Sequence, residues 1–357
     1  VLFVGSKRGL ESKLVPEAGF DLETLTSQQV MGRSSIGRLR GGVSILRSVI
    51  PARRCIQRFE ADAVVSVGGY AAMPTALAAR TCGRRLFLVE PNAIPGRVNR
   101  LTARFAESVF VGFESTKQAL PKGMETVWLG VPLRRALRRA FADGEGARTP
   151  RQSLRIMIFG GSQGARQLNE GVPDALVRLA PSEIDVFHQT GEADRERVAD
   201  RYAEAGISAE VVAFERNMPT RYRWADLAIC RAGALTVAEL SLAGLPSLLI
   251  PYAFAADDHL SANARALEEV GAARRIEATP LDSQALAQTI AEFVQTPARL
   301  ARMRTAARSL ARPNAAREII DHCVARLRGE PTASAAEPSG SAAPASAKEE
   351  DALCSAS

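Results

Sequence analysis

The sequence predicts an α/β protein with doubly wound parallel sheets, arranged as two domains. Short segments that are almost continuously apolar recur along the chain, as expected for parallel strands that are covered on both faces. Stretches of roughly 10–20 residues with helical periodicity separate them, which is the alternation typical of an α/β fold. The chain has 357 residues. Because single cores seldom grow beyond roughly 250–300 residues, we expect two cores.

The predicted strands follow one another in chain order. Those of the first half are Val1–Val4, Ala63–Val67, Leu86–Val89 and Ser108–Val111. Those of the second half are Leu154–Phe159, Ile184–His188, Glu210–Ala213, Leu227–Cys230 and Ser247–Ile250. Because helical segments lie between them, we expect the strands to pair in parallel.

The boundary between the domains is predicted in the segment 143–153, which is rich in glycine, proline and charge and lacks apolar periodicity. This segment would link an N-terminal domain of residues 1–142 to a C-terminal domain of residues 154–330. Residues 331–357 are rich in alanine, serine and proline, which predicts a disordered tail. Val1 opens directly inside a predicted strand, so we expect the natural N-terminus to precede it.

Composition argues against several classes of protein. The five cysteines are scattered and odd in number, and only three histidines are present, so neither a disulfide framework nor a metal centre is expected. No apolar run approaches the roughly 18 residues of a membrane span, and no signal peptide is recognisable. The sequence therefore predicts a protein of the cytosol or of a membrane surface that faces it, without a metal or another cofactor.

Charge is distributed unevenly along the chain. Residues 1–150 hold 23 basic and 12 acidic side chains, whereas the remainder holds 23 and 27. The first half should therefore face an anionic partner. The segment Met31–Phe59 has seven arginines, interleaved with apolar residues, and no acidic residue.

This basic and apolar segment is typical of a protein that docks on an anionic bilayer. Nucleic acid is the rival ligand, but neither aromatic stacking residues nor a helix-turn-helix pattern accompany the arginines. An ordinary solvated helix face is the third alternative. The residues expected to meet the membrane are Arg40, Ile45, Leu46, Arg47, Val49, Ile50, Arg53 and Arg54.

The strongest local motif is the glycine-rich loop Gly160–Gly164, which follows a predicted strand and precedes a helix. Glycines let the backbone approach a phosphate closely, and the positive end of the helix stabilises its charge. Ser162 adds a hydroxyl donor between Gly161 and Gln163. No Gly-Lys-Ser/Thr follows, so the loop is not a Walker A motif. The alternative is a tight turn without a ligand.

Two further loops follow strands of the second half. The segment 231–239 offers Arg231 as a charged fork for a diphosphate and Glu239 as an acceptor for ribose hydroxyls. The segment 251–263 is polar and includes His259. Open parallel sheets bind ligands at the carboxyl ends of their strands, so three such loops on one edge predict a nucleotide site. Singly, each could be an ordinary helix start.

In the first half, Val67–Pro74 is another glycine turn from a strand to a helix. Glu90 and Asn92 follow the predicted strand Leu86–Val89. A carboxylate beside a polar substrate acts as a base or as an orienting group. Pairing of Glu90 with a neighbouring helix terminus is the alternative.

Taken together, these segments resemble the MurG family of N-acetylglucosaminyltransferases, which complete the lipid-linked peptidoglycan precursor. The resemblance extends from residue 1 to about residue 328. The motifs that carry it are VGGYAAMP, VEPNAIPGRVNR, LGVPLR, FGGSQGARQLN, HQTG, CRAGALTVAE and GLPSLLIPYAFAADDHLSANA.

The resemblance implies a GT-B fold, in which two Rossmann-like domains face each other across a cleft. The C-terminal domain would hold the UDP-sugar and the N-terminal domain the lipid acceptor. The backbone at Glu215 would read the uracil, Glu239 would bind the ribose, and Ser162 and Arg231 would contact the diphosphate. The other implied substrate-binding residues are Asn92, Arg134, Gly161, Gln163, Ala234, Leu235, Thr236, Val237, Ala238, His259 and Leu260.

The resemblance also implies the reaction. The C4 hydroxyl of the muramic acid in the undecaprenyl-linked acceptor, lipid I, attacks the anomeric carbon of UDP-N-acetylglucosamine with inversion, and UDP leaves. The expected setting is peripheral, on the cytoplasmic face of the inner membrane. Another GT-B transferase acting on a different lipid, and an impaired homologue that only binds UDP-sugar, are the alternatives.

Three departures from the family pattern are visible. The family's first glycine-rich loop, with its candidate histidine base, would precede Val1, which predicts weak transfer by the chain as given. Within this sequence Glu90 is then the candidate catalytic residue. The segment Val89–Asn92 replaces His-Glu-Gln-Asn, while Leu260 stands in place of a sugar-contacting glutamine and Val131 in place of an asparagine.

Overall fold

The computed structural model describes residues 1–7, 9–25, 35–69, 72–142, 153–161, 164–252, 258–277 and 280–332, with the side chains of residues 35–46 excepted. The predicted linker lies outside the described residues apart from Ser153, and the predicted tail does so apart from its first two residues. Ser162 and Gln163 also lie outside them.

The described residues of the first half form six strands and five α-helices. The strands are β1 Leu2–Ser6, β2 Asp21–Leu25, β3 Ala63–Ser66, β4 Arg85–Glu90, β5 Ser108–Val111 and β6 Thr126–Trp128. The helices are α1 Glu11–Glu17, α2 Ser35–Arg58, α3 Ala72–Thr81, α4 Arg97–Thr102 and α5 Arg135–Ala140. The strands β3-β4-β5-β6 form a four-stranded parallel sheet in that order, while β1 and β2 pair in a separate parallel sheet.

The predicted burial of the first strand is wrong. Within β1 only Gly5 is buried, Phe3 is exposed, and Val1 before the strand is 86% exposed. Among the described residues, β1 pairs with β2 and with no other strand. Its two faces are therefore not both covered, unlike those of β4, in which Leu86, Phe87, Leu88 and Val89 are all buried.

In the second half, the part of the chain that the structure describes forms six strands and eight α-helices. The strands are β7 Leu154–Phe159, β8 Ile184–Gln189, β9 Ala209–Val212, β10 Leu227–Cys230, β11 Ser247–Leu249 and β12 Ala273–Arg275. The helices are α6 Arg166–Leu176, α7 Arg195–Glu204, α8 Met218–Trp224, α9 Ala234–Ala243, α10 His259–Glu269, α11 Ser283–Gln295, α12 Pro297–Ser309 and α13 Ala315–Arg328. The sheet is parallel, in the order β12-β11-β10-β7-β8-β9.

Alternate residues of β7 pack into two different hydrophobic cores. Ile156 and Ile158 pack in one hydrophobic cluster with residues of α6 and α11, whereas Met157 and Phe159 pack in another with residues of α8 and α9. Side chains alternate between the faces of a strand, so an apolar run of this kind requires helices on both faces. The predicted doubly wound α/β class is confirmed.

The last helix, α13, returns to the first half. Its Ile319 and Cys323 pack against Phe87 and Phe110 of β4 and β5. The ring of His322 meets that of Phe110 edge to face, with 5.1 Å between the centroids. The sequence placed this helix in the C-terminal domain, but its apolar face covers the sheet of the N-terminal one.

Candidate functional site

The glycine-rich loop connects β7 to α6 at the carboxyl edge of the larger sheet. Gly164 has φ +74°, and a Cβ there would lie 1.9 Å from the carbonyl oxygen of Thr190, so a larger residue cannot fit. Gly161 has φ +101° and open space where a side chain would stand. The open backbone beside a helix N-terminus matches the predicted anion site. The contacts of Ser162 and Gln163 lie outside the described residues.

Gln189 at the end of β8 holds this loop in place through its side-chain amide. Its side-chain amide donates to the carbonyl oxygen of Gly161 at 2.9 Å, and its oxygen accepts the backbone N–H of Glu215 at 2.9 Å. One buried amide thus fixes the spacing between the glycine-rich loop and the predicted uracil site. In the sequence this glutamine belongs to the HQTG motif, from which no role was predicted for it.

The N–H of Glu215 is therefore already donated within the protein. The carboxylate of Glu215 accepts from the guanidinium of Arg221 at 2.7 Å and from the N–H of Asn217 at 2.6 Å. These bonds hold the loop after β9 in one conformation. A role of this backbone in reading uracil stays a prediction.

Arg231 follows β10 and is held on both sides. Its guanidinium donates to the carbonyl oxygen of Ile250 at 2.8 Å and to the side chain of Gln167 at 2.9 Å. It also lies over the ring of Tyr252, 5.4 Å from the centroid. Burial lowers the pKa of Arg231 from its ordinary value. The cation is thus fixed between the loops that follow β7, β10 and β11.

Glu239 lies on α9 and is only 4% exposed. Its carboxylate accepts from the hydroxyl of Tyr222 at 2.7 Å and from the guanidinium of Arg134 at 3.3 Å. Burial, and then the charge of Glu239, raises the pKa of Tyr222, so the phenol stays a donor. Arg134 belongs to the first half of the chain, and its contact with Glu239 brings together two residues that the sequence assigned to one site.

The other predicted residues of α9 divide between two faces. Ala234, Leu235 and Thr236 form the first turn, where Leu235 is exposed and Thr236 is half-buried. Val237 and Ala238 instead line a cavity of about 210 Å³ between the two halves. Residues one and two positions before Glu239 cannot share its helix face. That Ala234 to Ala238 line the nucleotide-sugar pocket stays a prediction.

Glu90, at the end of β4, is almost fully buried, and its carboxylate accepts four hydrogen bonds. The donors are the N–H and side-chain amide of Asn92, the N–H of Gly96, and the side-chain amide of Asn99, at 2.8–3.3 Å. A carboxylate with this many donors serves to orient its neighbours, and Gly96 caps α4. The geometry favours the orienting alternative, while a catalytic role for Glu90 stays a prediction.

Asn92 projects from the first half toward α10 of the second. Its side-chain oxygen accepts from the amide of Asn263 at 3.2 Å. His259 and Leu260, which start α10, are both half-buried. The structure thus brings the loop after β4 against α10, and contact of Asn92 with a substrate across the cleft stays a prediction.

The predicted membrane residues lie on α2. The side chains of Arg40, Ile45 and Leu46 lie outside those described. Arg47, Arg53 and Arg54 are exposed, and so is Ile50, at 59%. Val49 differs from the prediction, because it is half-buried and packs against the core of the first half.

Two absences concern the described residues alone. No group of three or more histidine, cysteine, aspartate or glutamate side chains there could hold a metal ion. No helix among them has both the length and the apolar character needed to cross a membrane.

Three residues of the site were missed by the sequence analysis: Gln189, Tyr222 and Asn263. Tyr222 and Asn263 lie on helices, and the helical periodicity of the sequence there indicates only that these two side chains face inward. Gln189 could have been found, since a glutamine that ends a buried strand at the ligand edge of a sheet needs polar partners.

Comparison with known families covers most of the chain. The model described as the glycosyltransferase family 28 N-terminal domain matches residues 1–111. The model described as the glycosyltransferase family 28 C-terminal domain matches residues 155–321.

Curated relatives and solved structures agree with these models. The UDP-N-acetylglucosamine--N-acetylmuramyl-(pentapeptide) pyrophosphoryl-undecaprenol N-acetylglucosamine transferase of Geobacter sulfurreducens is 40% identical over 332 residues, which cover 92% of this chain and 91% of the relative. The protein of that name from Magnetococcus marinus is 43% identical over 325 residues, covering 90% and 87%. MurG of Acinetobacter baumannii has a TM-score of 0.74 at 31% identity, covering 89% of this chain and 88% of that chain. The calicheamicin glycosyltransferase CalG4, at 13% identity and a TM-score of 0.59, shares the fold and covers 91% of each chain.

Proposed function

The chain belongs to the MurG family of family 28 glycosyltransferases and has a GT-B fold, and from this we propose that it completes the lipid-linked peptidoglycan precursor. It transfers N-acetylglucosamine from UDP-N-acetylglucosamine to the C4 hydroxyl of the muramic acid of lipid I. The products are lipid II and UDP.

The observation that carries this proposal is the buried carboxylate of Glu239 at the ligand edge of the larger sheet. Tyr222 fixes it from its own half, and Arg134 reaches it from the other half. A buried carboxylate needs strong donors, and two adjacent ribose hydroxyls can supply them. The uridine ribose would replace Arg134 at one carboxylate oxygen, while Tyr222 keeps the other oxygen in place.

The diphosphate lies between the starts of α6 and α9. Both helices begin directly after a glycine-containing turn at the carboxyl end of a strand, so their free N–H groups point toward a shared space. Arg231 supplies a fixed cation there. Positive charge and donors at the diphosphate stabilise the charge that develops on the departing UDP.

The acceptor approaches from the first half of the chain, where Glu90 holds Asn92 at the edge of the site. A base must accept the proton of the attacking hydroxyl, and the carboxylate of Glu90 is the candidate for it among the residues of this chain. Glu90 orients Asn92 and the start of α4 in this scheme, and attack from the face opposite the leaving UDP inverts the anomeric carbon.

The lipid part of the acceptor explains the basic face of α2. Arg47, Arg53 and Arg54 are exposed together with Ile50, which is the combination suited to an anionic lipid surface. The protein then acts as a peripheral enzyme on the cytoplasmic face of the inner membrane, with the bilayer and lipid I as partners and without nucleic acid.

The test is calorimetric titration with UDP-N-acetylglucosamine, UDP-glucose and UDP, followed by turnover of lipid I in mixed micelles. We expect preference for the N-acetylglucosamine donor, slow formation of lipid II, and loss of donor binding in Glu239→Ala. Asp282→Ala, which removes a helix cap remote from the loops, is the control. Binding of UDP without a sugar preference would favour another lipid glycosyltransferase and point to Leu260. Donor binding without turnover would favour an impaired homologue.

A further inference from the structure

Asn263 on α10 is a fully buried amide that joins the two halves of the molecule. It is 0% exposed. Its side-chain oxygen accepts the N–H of Ala93 at 2.8 Å, and its nitrogen donates to the side chain of Asn92 at 3.2 Å and to the carbonyl oxygen of Ala232 at 3.1 Å. The contacts with Asn92 and Ala93 join positions 171 and 170 residues apart in the chain.

The backbone partners determine which way this amide points. The N–H of Ala93 can only donate and the carbonyl of Ala232 can only accept, so oxygen and nitrogen of Asn263 cannot be exchanged. Asn92 is determined in turn, because its own nitrogen faces the carboxylate of Glu90. Its oxygen therefore accepts from Asn263, and each hydrogen bond from Glu90 to Ala232 has one direction.

Among the described residues, this arrangement leaves Asn92 with one side-chain N–H donor for a ligand. Its side-chain nitrogen carries two hydrogens, of which one points to Glu90. The backbone carbonyl of Asn92 is also engaged, by the hydroxyl of Thr116 at 3.0 Å. The remaining N–H of a half-buried side chain, held at both ends, is directed rather than free to rotate.

The other end of this hydrogen-bond network lies at Ala232, in the segment that leads into α9. Ala232 stands between Arg231 and Gly233, and Gly233 caps α9, whose first turn faces the predicted diphosphate. Asn263 also lies three residues after Leu260, so it fixes the rotation of the helix turn that carries His259 and Leu260. One amide thus sets the distance between the first-half loop and the donor loop.

We propose that Asn263 is a positioning residue for the sugar of the donor: it holds Asn92 across the cleft so that the free amide hydrogen of Asn92 meets a hydroxyl or acetamido oxygen of the transferred sugar. This rests on the proposed function for the chemical class of ligand, a nucleotide diphosphate sugar. Asn263 itself touches no substrate and acts through Asn92.

The test is a double-mutant cycle with Asn92→Ala and Asn263→Ala, read as the ratio of affinities for UDP-N-acetylglucosamine and UDP in calorimetry. The residues proposed to hold UDP, Ser162, Arg231 and Glu239, lie in the second half, so we expect the affinity for UDP to stay within about twofold in every variant. We expect each single variant to lose about tenfold in the ratio of affinities. The double variant should lose no more than either, because both changes remove the same contact, that of Asn92 with the sugar.

Asn263→Asp fills the same space, and it replaces Asn263→Ala in the test if the alanine variant fails to fold. It keeps the bond to Ala93 but turns an oxygen toward Ala232 and Asn92, so we expect at least the same loss of sugar preference. Arg326→Gln breaks another contact between the halves, that with Glu107 at 2.7 Å, and is expected to leave the ratio unchanged. Thermal unfolding is recorded for all variants.

A ratio retained in Asn263→Ala or Asn263→Asp, or single losses that multiply in the double variant, would overturn the inference. So would wild-type protein that binds both ligands equally well. Turnover of lipid I is measured separately: a cycle that behaves as expected in protein without turnover supports the positioning role and contradicts the proposed function.

Discussion

At the scale of single residues, the site depends on buried polar groups whose partners are all defined. Glu90, Glu239 and Asn263 are each less than 5% exposed, and each is held by at least two hydrogen bonds. A buried polar group without partners costs about 1–3 kcal/mol, and in the network of Glu90 the side-chain oxygen of Asn99 is the one buried polar atom without a partner among the described residues. The consequence is a site whose side chains are directed before the ligand arrives.

Tyr222→Phe tests this preorganisation. The change removes the phenol that holds Glu239 and keeps the ring that packs against Phe159. Since hydrogen bonds to charged groups contribute about 1.5–3 kcal/mol, we expect the affinity for UDP to fall roughly tenfold or more, as measured by calorimetry. Tyr202→Phe removes an equally buried hydroxyl, which meets His188 instead, and should lower stability with little change in affinity. Equal loss of affinity in both variants would contradict a specific role for Tyr222.

At the scale of elements, β8, α6 and α7 are joined by His188. Its Nδ1 accepts from the hydroxyl of Tyr202 at 3.0 Å, and its Nε2 donates to the side-chain oxygen of Asn169 at 3.2 Å. The directions follow because the nitrogen of Asn169 donates to Thr190 and Asp194. The neutral imidazole thus connects the helix after the glycine-rich loop to the sheet.

Burial lowers the pKa of His188 to about 3. In the unfolded chain His188 takes up a proton near pH 6.5, whereas in the folded protein it does so only near pH 3. The contribution of the neutral imidazole to the free energy of unfolding is therefore complete above pH 6.5 and is lost as pH falls toward 3. Relative to His188→Gln, the free energy of unfolding of the wild type should fall by about 1.4 kcal/mol for each unit by which the pH is lowered in that range. Urea denaturation of both proteins from pH 7.5 to pH 4.5 measures the difference. Parallel curves would show that the imidazole is not buried in neutral form.

At the scale of the whole molecule, the basic face of α2 and the ligand edges of the two sheets belong to one functional arrangement. An acceptor that is anchored in a bilayer must reach the site while its lipid stays in the membrane. In the proposed function, the concentration of positive charge in the first half, +11 against −4 in the second, would orient that half toward an anionic surface.

Reversal of three charges on this face should separate docking from donor binding. For Arg47→Glu/Arg53→Glu/Arg54→Glu we expect at least hundredfold weaker binding to phosphatidylglycerol-containing vesicles, because each basic residue near the surface contributes about 1 kcal/mol. The affinity for UDP should not change. A control with equal net charge, Arg178→Glu/Arg302→Glu/Arg317→Glu, alters exposed positions elsewhere. Vesicle sedimentation in which both triple variants lose binding equally would indicate an effect of net charge alone.

The sequence by itself determined the fold class and the edge at which the site lies. Continuous apolar runs such as Leu154–Phe159 require cover on both faces, and glycines after such runs mark where the backbone must turn or be approached closely. These are local properties, so they can be read without knowing which parts of the chain meet.

Only the tertiary structure decided which distant residues share a contact. The return of α13 to the first sheet, the pairing of β1 with β2, and the bonds of Asn263 to Asn92 and Ala93 all depend on side-chain direction and on contacts across the chain. A helical period shows that Tyr222 and Asn263 face inward, but an inward-facing polar group acquires its role from the partner opposite it. That partner is set by the packing of the two halves, which no local pattern encodes.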